Sequence, residues 1–533
     1  MGTLYINASI YTMRDEYETV EAVFCRDGKI EAAGFETSIR EEFQEFITTV
    51  IDLKGGMMIP GLTDSHLHLI GHGEKLIRLD LSALTSAEDL LEVLKLKASL
   101  LEENEWLIGD GWNENNFPDV RIVSREELDR ISGGRPVFIS RVCRHAFLAN
   151  SKALSLAGIT KDTEDPAGGI IHRDERGEPT GLLMDSAADL VKKVIPQAEQ
   201  HYLNRALEAS VKDLLSKGIV GAHSEDLSYY GGFRFAEEAF KNVLGRKGIP
   251  FKAHLLVHHL ALEEVLECEP FTSPYVEYGA LKIFSDGAFG GRTALLSEPY
   301  SDDPETNGVC IHSAGQLAEL VQLARKHRMA AAVHTIGDKS LEMVIDAFEK
   351  TPPPIGKKDR IIHAGLVRED LVARMKELPV IIDIQPGFVS SDFPWLIERL
   401  GEDRVRYAFA FRTLLDHNII CAGGSDAPIE PANPLLGLYA AVHRRKPGET
   451  HEGYVPAQKL TMYEAIQLYT TGSAAAIGKE NSQGIIAPGY CADFTVFGRD
   501  LFKTAPEEIL QTKVLYTIVD GQTAYSSQEV RVI

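Results

Sequence analysis

His66 and His68 stand two apart in DSHLHL, directly after the apolar run MMIPGL. Side chains alternate across a strand, so residues i and i+2 point to one face, and two imidazoles placed there can grip the same divalent metal. Alone the pair is weak, because two histidines on one face can equally be packed or solvated. Four further residues change the balance. Lys282 in LKIFSDG, His334 in AAVHTIGD, His363 in RIIHAGL and Asp426 in AGGSDAP each lie at the end of a short apolar run. Singly, each has an ordinary explanation: a strand-end histidine held by hydrogen bonds or, for Asp426, an N-cap of the next helix. Together, six such residues at strand ends favour a metal centre at the mouth of a parallel sheet, since catalytic groups of a parallel barrel come from strand C-termini.

The elements that must position them are legible as a rhythm. Short apolar segments ending in polar residues alternate with helical patterns: MMIPGLTDSH, PVFIS, GIVGAHS, FKAHLLVH, GALKIFSDG, AAAVHTIGD, RIIHAG, VIIDIQPG and IICAGGSDAP. That alternation is the signature of βα units. It yields one strand more than an eight-stranded barrel needs. PVFIS is the surplus, because it falls between residues 72 and 215, where the rhythm breaks down; residues 80–200 are assigned to an inserted subdomain. Within it GGIIHRDERGEPTGLLM reads as a hairpin about an Asp174–Gly177 turn. At the chain ends the style differs. Alternating runs with Asp27-Gly28 and Asp520-Gly521 turns predict antiparallel strands, and residues 1–55 and 470–533 are expected to build one β-sandwich around a barrel over 56–469.

Composition excludes several partners. Lys and Arg number 55 against 78 Asp and Glu, a net charge of −23 with no acidic tail. Nucleic acid and anionic membranes suit such a surface poorly. No basic segment followed by an apolar one opens the chain, and no run reaches the roughly 18 apolar residues of a spanning helix. A cytoplasmic location, a small-molecule substrate and a homodimer are the expectations. The six cysteines are single and scattered, without a CxxC pair. Cys421 sits close to the suspected site, but no histidine is placed to activate it as a nucleophile.

The motifs PGLTDSHLHL, DPAGGIIHRDERGEPTG, LKIFSDGAFGGRTALL, VHTIGD, IIHAG and GGSDAP, in that order across essentially the whole chain, resemble the amidohydrolase superfamily. Within it they are most similar to the YtcJ-like branch that includes N-substituted formamide deformylases. The resemblance implies an α/β fold: a (β/α)8 TIM barrel, a β-sandwich domain formed by both termini and an inserted α+β subdomain. It also implies a ligand set, with His66 and His68 on one ion, His334 and His363 on the other, and Asp426 completing the first. In two-metal members a lysine on the fourth strand is carboxylated and bridges the ions; Lys282 stands at that position. If Lys282 stays an ammonium it is no ligand, and a one-metal site follows.

Imidazole and carboxylate ligands suit zinc, with iron, manganese or nickel accommodated. Such ions lower the pKa of bound water to roughly 7 and polarise a carbonyl. Asp426 is then expected to take the proton of the water and hand it to a leaving nitrogen, and the paired glycines before it to let water and substrate approach. The predicted activity is hydrolysis of a non-peptide C–N bond, a linear or cyclic amide, N-formyl compounds included. Two other functions stay open: a single-metal ring deaminase, against which Lys282 argues, and a binding or regulatory protein that has lost turnover. Asp286 and Arg292 are candidate substrate contacts in the loop after the Lys282 strand; Arg292 would receive a carboxylate or be a solvated loop residue. His145 is a third candidate, although Arg144 precedes it where relatives commonly carry Asp-Gly-His. His254, His258 and His259 read as structural.

Overall fold

Runs rich in valine, isoleucine, leucine and alanine become strands, and eight of them form one parallel sheet. In chain order these barrel strands are Leu62–Leu67, Ile219–Ser224, Lys252–His258, Val276–Phe284, Ala331–Thr335, Asp359–His363, Val380–Ile384 and Cys421–Gly423. Each lies beside the next in the sheet. The computed structural model describes residues 2–102, 105–118, 120–141, 146–166, 168–195, 200–245, 247–393 and 395–527.

The barrel closes between its first and eighth strands by a few specific bonds. Asp426 N donates to His66 O at 2.7 Å and His68 N to Ala427 O at 2.8 Å. The buried carboxylate of Asp64 accepts from Ser425 N at 3.0 Å and from His66 N at 3.0 Å. Gly424 makes this approach possible, since a Cβ there would stand 2.6 Å from His66 N. Gly423 faces Leu468 and Tyr469 in the same way. The paired glycines therefore serve closure of the barrel and packing behind it, and the expectation that they admit water and substrate is corrected.

By its internal contacts the chain divides into two compact units, Met1–Gly73 with Leu203–Ile533, and Glu74–Tyr202. The first holds the barrel and a seven-stranded sheet in the order Gln522–Ser526, Val514–Val519, Phe494–Phe497, Ile47–Pro60, Gly2–Tyr11, Thr19–Arg26, Lys29–Gly34. Both chain ends thus meet in one sheet. One face buries Tyr5, Val23, Met58, Phe494 and Ile518; the other packs Leu4, Ala22 and Phe24 on Ile39 of helix Glu36–Phe43. Strand Ile47–Pro60 runs into the first barrel strand with only Gly61 between.

The second unit is α+β. Its six-stranded sheet includes Val137–Arg141, the PVFIS segment. It also holds the hairpin Gly169–Arg173 with Pro179–Asp185, whose turn is fixed by Asp174 Oδ1 accepting from Arg176 N and Glu178 N. Leu90 and Leu94 of helix Ala87–Ser99 pack with Trp112, Leu128 and Ile139. Among the described residues no helix is long and apolar enough to cross a membrane.

Candidate metal centre

Five barrel strands deliver the six predicted residues to one end of the barrel. His66 Nε2 lies 3.5 Å from Asp426 Oδ1, and His68 Nε2 lies 3.6 Å from the same oxygen. Lys282 Nζ is 3.2 Å from His66 Nε2. His334 Nδ1 and His363 Nε2 face each other at 3.1 Å, and the His66 and His363 ring centroids are 5.7 Å apart.

Three of the four remaining ring nitrogens are anchored. His68 Nδ1 donates to Glu225 O at 2.6 Å, His334 Nε2 to Gly287 O at 3.1 Å and His363 Nδ1 to Gln385 Oε1 at 2.7 Å. The other nitrogens of His334 and His363 then carry lone pairs turned inward, and His68 Nε2 is turned inward toward Asp426 Oδ1. Two imidazole lone pairs facing at hydrogen-bond distance repel unless a proton or a cation lies between them. His66 Nδ1 is buried with no partner among the described residues. Four imidazoles and a carboxylate so disposed fit a divalent metal.

Burial sets the charge states. It pushes the His66, His334 and His363 rings below the ordinary imidazole range, helped by the Lys282 ammonium. On His68 burial is outweighed by Asp426, which lifts the ring to about 9. Asp426 is buried, yet His68, His363 and Lys282 overcome burial and hold it below the usual carboxylate value. Lys282, 0% exposed, is pushed down to about 8 by burial against the pull of Glu225 and Asp426. The backbone is also unusual here: His363, Ala364 and Asp426 have φ of 79°, 48° and 58°.

The other predicted residues fare differently. Asp286 is buried, with its carboxyl pushed up to about 7 by desolvation, and it accepts from Leu295 N, Ile336 N and Gly337 N at 2.8–3.0 Å. It stitches the loops after the fourth and fifth strands together. Arg292 is on the surface with φ 52° and pairs with Asp302 at 2.9 Å, so its guanidinium is already engaged. His145 lies outside the described residues. His254 bonds Glu277 at 3.1 Å, and His258 accepts from Leu260 N. Cys421 is buried, with its thiol pushed far up by desolvation.

Sequence reasoning missed Asp64, Gln385 and Glu225 as partners of the site. Asp64 and Glu225 stand in DSHLH and HSED, so a polar residue within two positions of a strand-end histidine was the available signal.

A family model described as the amidohydrolase family matches residues 49–525. The chain is 48% identical over 526 residues to the putative amidohydrolase YtcJ of Bacillus subtilis (strain 168), covering 98% of this chain and 99% of that one. It is 28% identical over 541 residues to N-substituted formamide deformylase of Arthrobacter pascens, covering 98% of each. A crystal structure described as an uncharacterized metal-dependent hydrolase from Pyrococcus furiosus superimposes with a TM-score of 0.80 at 29% identity, over 94% of this chain and all of that one. With an eight-stranded parallel barrel, a sheet from both chain ends and a family match of this extent, the chain belongs to the amidohydrolase family of hydrolases.

Proposed function

We propose that the protein hydrolyses a non-peptide C–N bond of a small molecule, with amides and N-formyl compounds as the leading class, at a centre of two divalent metals. The observation that carries this reading is the inward convergence of three imidazoles anchored through their outer nitrogens, the His66 ring and the Asp426 carboxylate on one space at the barrel mouth. Zinc is the first choice for that donor set; iron, manganese and nickel are also compatible. Bound there, the ions would supply a nucleophilic hydroxide at neutral pH and polarise the scissile carbonyl.

The chain's own residues do the rest. Asp426, held as a carboxylate, accepts the proton of the attacking water at its side-chain oxygen and returns it to the leaving nitrogen. His68 and Asp426 share their contact through Oδ1, so the base is held in place. Lys282 is the residue for carboxylation, because that reaction needs the neutral amine and burial has brought the ammonium down to about 8. The deformylase and metal-dependent hydrolase relatives support the class. A single-metal site is the second reading, favoured by Lys282 Nζ standing 3.2 Å from His66 Nε2.

The test is metal analysis of purified protein together with a panel of linear, cyclic and N-formyl amides. Bound divalent metal with metal-stimulated turnover is expected. Metal-free protein that gains no turnover with added metal would end the reading.

A further inference from the structure

The loop after the second barrel strand presents three buried polar residues in a row, Ser224, Glu225 and Asp226. Two have a structural task. Ser224 Oγ accepts from Leu69 N at 2.9 Å and donates to Asp226 Oδ2 at 2.5 Å, while Asp226 Oδ2 also accepts from Ile70 N at 3.2 Å. They satisfy the first N–H groups of helix Leu69–Ile77, which follows His68 directly.

The Glu225 side chain takes no part in this. Its carbonyl receives the His68 Nδ1 proton at 2.6 Å, and its carboxylate Oε2 lies 3.7 Å from that same nitrogen. Oε2 also accepts from Tyr229 OH at 2.6 Å. Oε1 is buried with no partner among the described residues. A carboxylate at 0% exposure with one oxygen unmatched is destabilising, and no helix end or strand end is satisfied in return. Tyr229, half exposed, sets its ring 6.1 Å from those of His68 and of His258. The tyrosine thus orients the carboxylate from the solvent side.

We infer that Glu225, oriented by Tyr229, is a positioning residue of the metal centre: its negative charge holds the His68 Nδ1–H toward Glu225, which leaves Nε2 turned inward to the space beside Asp426 Oδ1, and so raises affinity for a divalent cation. This rests on His68 being a metal ligand, as proposed above. Outer partners of metal-bound histidines typically contribute 10–100-fold in affinity. The backbone carbonyl of Glu225 survives any substitution there, so the lower end of that range applies to the charge alone.

The experiment is a zinc titration of metal-stripped, full-length protein against a chromophoric chelator, for wild type, Glu225→Gln, Tyr229→Phe and the double variant. Glu225→Gln keeps the shape and removes the charge. It is expected to weaken zinc binding about tenfold, Tyr229→Phe to weaken it less, and the double variant to match Glu225→Gln, because both act through one carboxylate. The stripped Glu225→Gln protein should unfold in urea no earlier than wild type, since a buried charge has gone; a purely structural role would give the reverse. Wild-type zinc affinity in both single variants overturns the inference. If Glu225→Gln does not fold, Tyr229→Phe decides alone, and unchanged affinity there overturns it. Wild-type protein that binds no zinc at all would instead sink the proposed function together with this inference.

Discussion

A buried lysine and a half-buried one lie near opposite ends of the barrel, each beside a group of ligand-type side chains. At the mouth Lys282 stands with His66, His68 and Asp426; at the floor Lys252, which begins the third barrel strand's run, stands with Cys491, Asp493 and Asp520. Both trios bring potential ligand atoms within 4.8 Å of one another. Yet Lys252 Nζ is clamped 2.6 Å from Asp493 and 2.7 Å from Asp520, and these carboxylates overcome burial and push its pKa up. Lys282 has no carboxylate at ion-pair distance among the described residues, and burial pushes it down to about 8. The floor cluster already contains its cation. The mouth cluster has ligands turned inward and a lysine whose ammonium burial disfavours, which separates a metal centre from an ion pair built of similar residues.

The contrast breaks if the two clusters respond alike to mutation. The largest effect is expected from replacing His66 and His68 together by alanine: metal content collapses and turnover falls about 10³-fold or more, the scale of the several kcal/mol a Lewis-acid metal supplies. Cys491→Ser should leave metal content at the wild-type level. Elemental analysis of both variants, with circular dichroism as a check on folding, decides. Asp426→Asn sharpens the assignment within the mouth. It keeps size and one oxygen, so metal remains mostly bound while turnover drops by about 100-fold or more, and the acidic limb of the pH–rate profile disappears. Near-normal turnover would send the proton to another residue.

The lysines themselves should move stability in opposite directions. Lys252→Met leaves two carboxylates unpaired and is expected to cost about 3 kcal/mol in urea denaturation. Its pKa is raised in the folded state, so this stabilisation is complete below the unfolded value of about 10.4 and fades only at higher pH. Lys282→Met removes a buried charge and should stabilise the metal-free protein by about 1–3 kcal/mol at pH 7. Here the folded pKa is lowered, so the penalty on wild type is complete below about pH 8 and vanishes by about pH 10.5. Equal signs for the two variants would erase the distinction. The smallest effect concerns reactivation of stripped protein by zinc with bicarbonate. The neutral amine of Lys282 grows as pH rises through about 8, so the initial rate of reactivation should increase on the order of tenfold from pH 6.5 to 8.5. A flat profile would place the lysine outside the chemistry.

The barrel and its mouth were legible because their signals are local. A strand's two-residue period puts His66 and His68 on one side, and the ends of apolar runs expose Lys282, His334, His363 and Asp426 wherever the sheet closes. What the local pattern could not supply was partnership. Gln385 meets His363 because the sixth and seventh strands are neighbours, and Arg360 forms a buried ion pair with Asp383 across the same boundary. Glu225 meets His68 only through the pairing of the first and second strands. The partners of the loop residues were hidden for the same reason. Nothing near Asp286 or Arg292 in the chain reveals that backbone N–H groups 9 and 50 residues on, or Asp302, have claimed them.

One pairing in the terminal sheet bears on how the protein is made. Phe494–Phe497 lies antiparallel to Met57–Pro60, with Phe494 opposite Pro60, six residues before His66. On the ribosome those partners emerge about 430 residues apart, a delay of roughly 20–90 s at ordinary synthesis rates. Throughout that interval Met57–Pro60 has an open edge on this side, with two hydrophobic methionines awaiting their neighbour. The strand leading into the first two candidate ligands is thus finished by a segment translated after every mouth residue. Chains released early would carry every mouth residue and still lack the partner that completes the strand leading to His66 and His68.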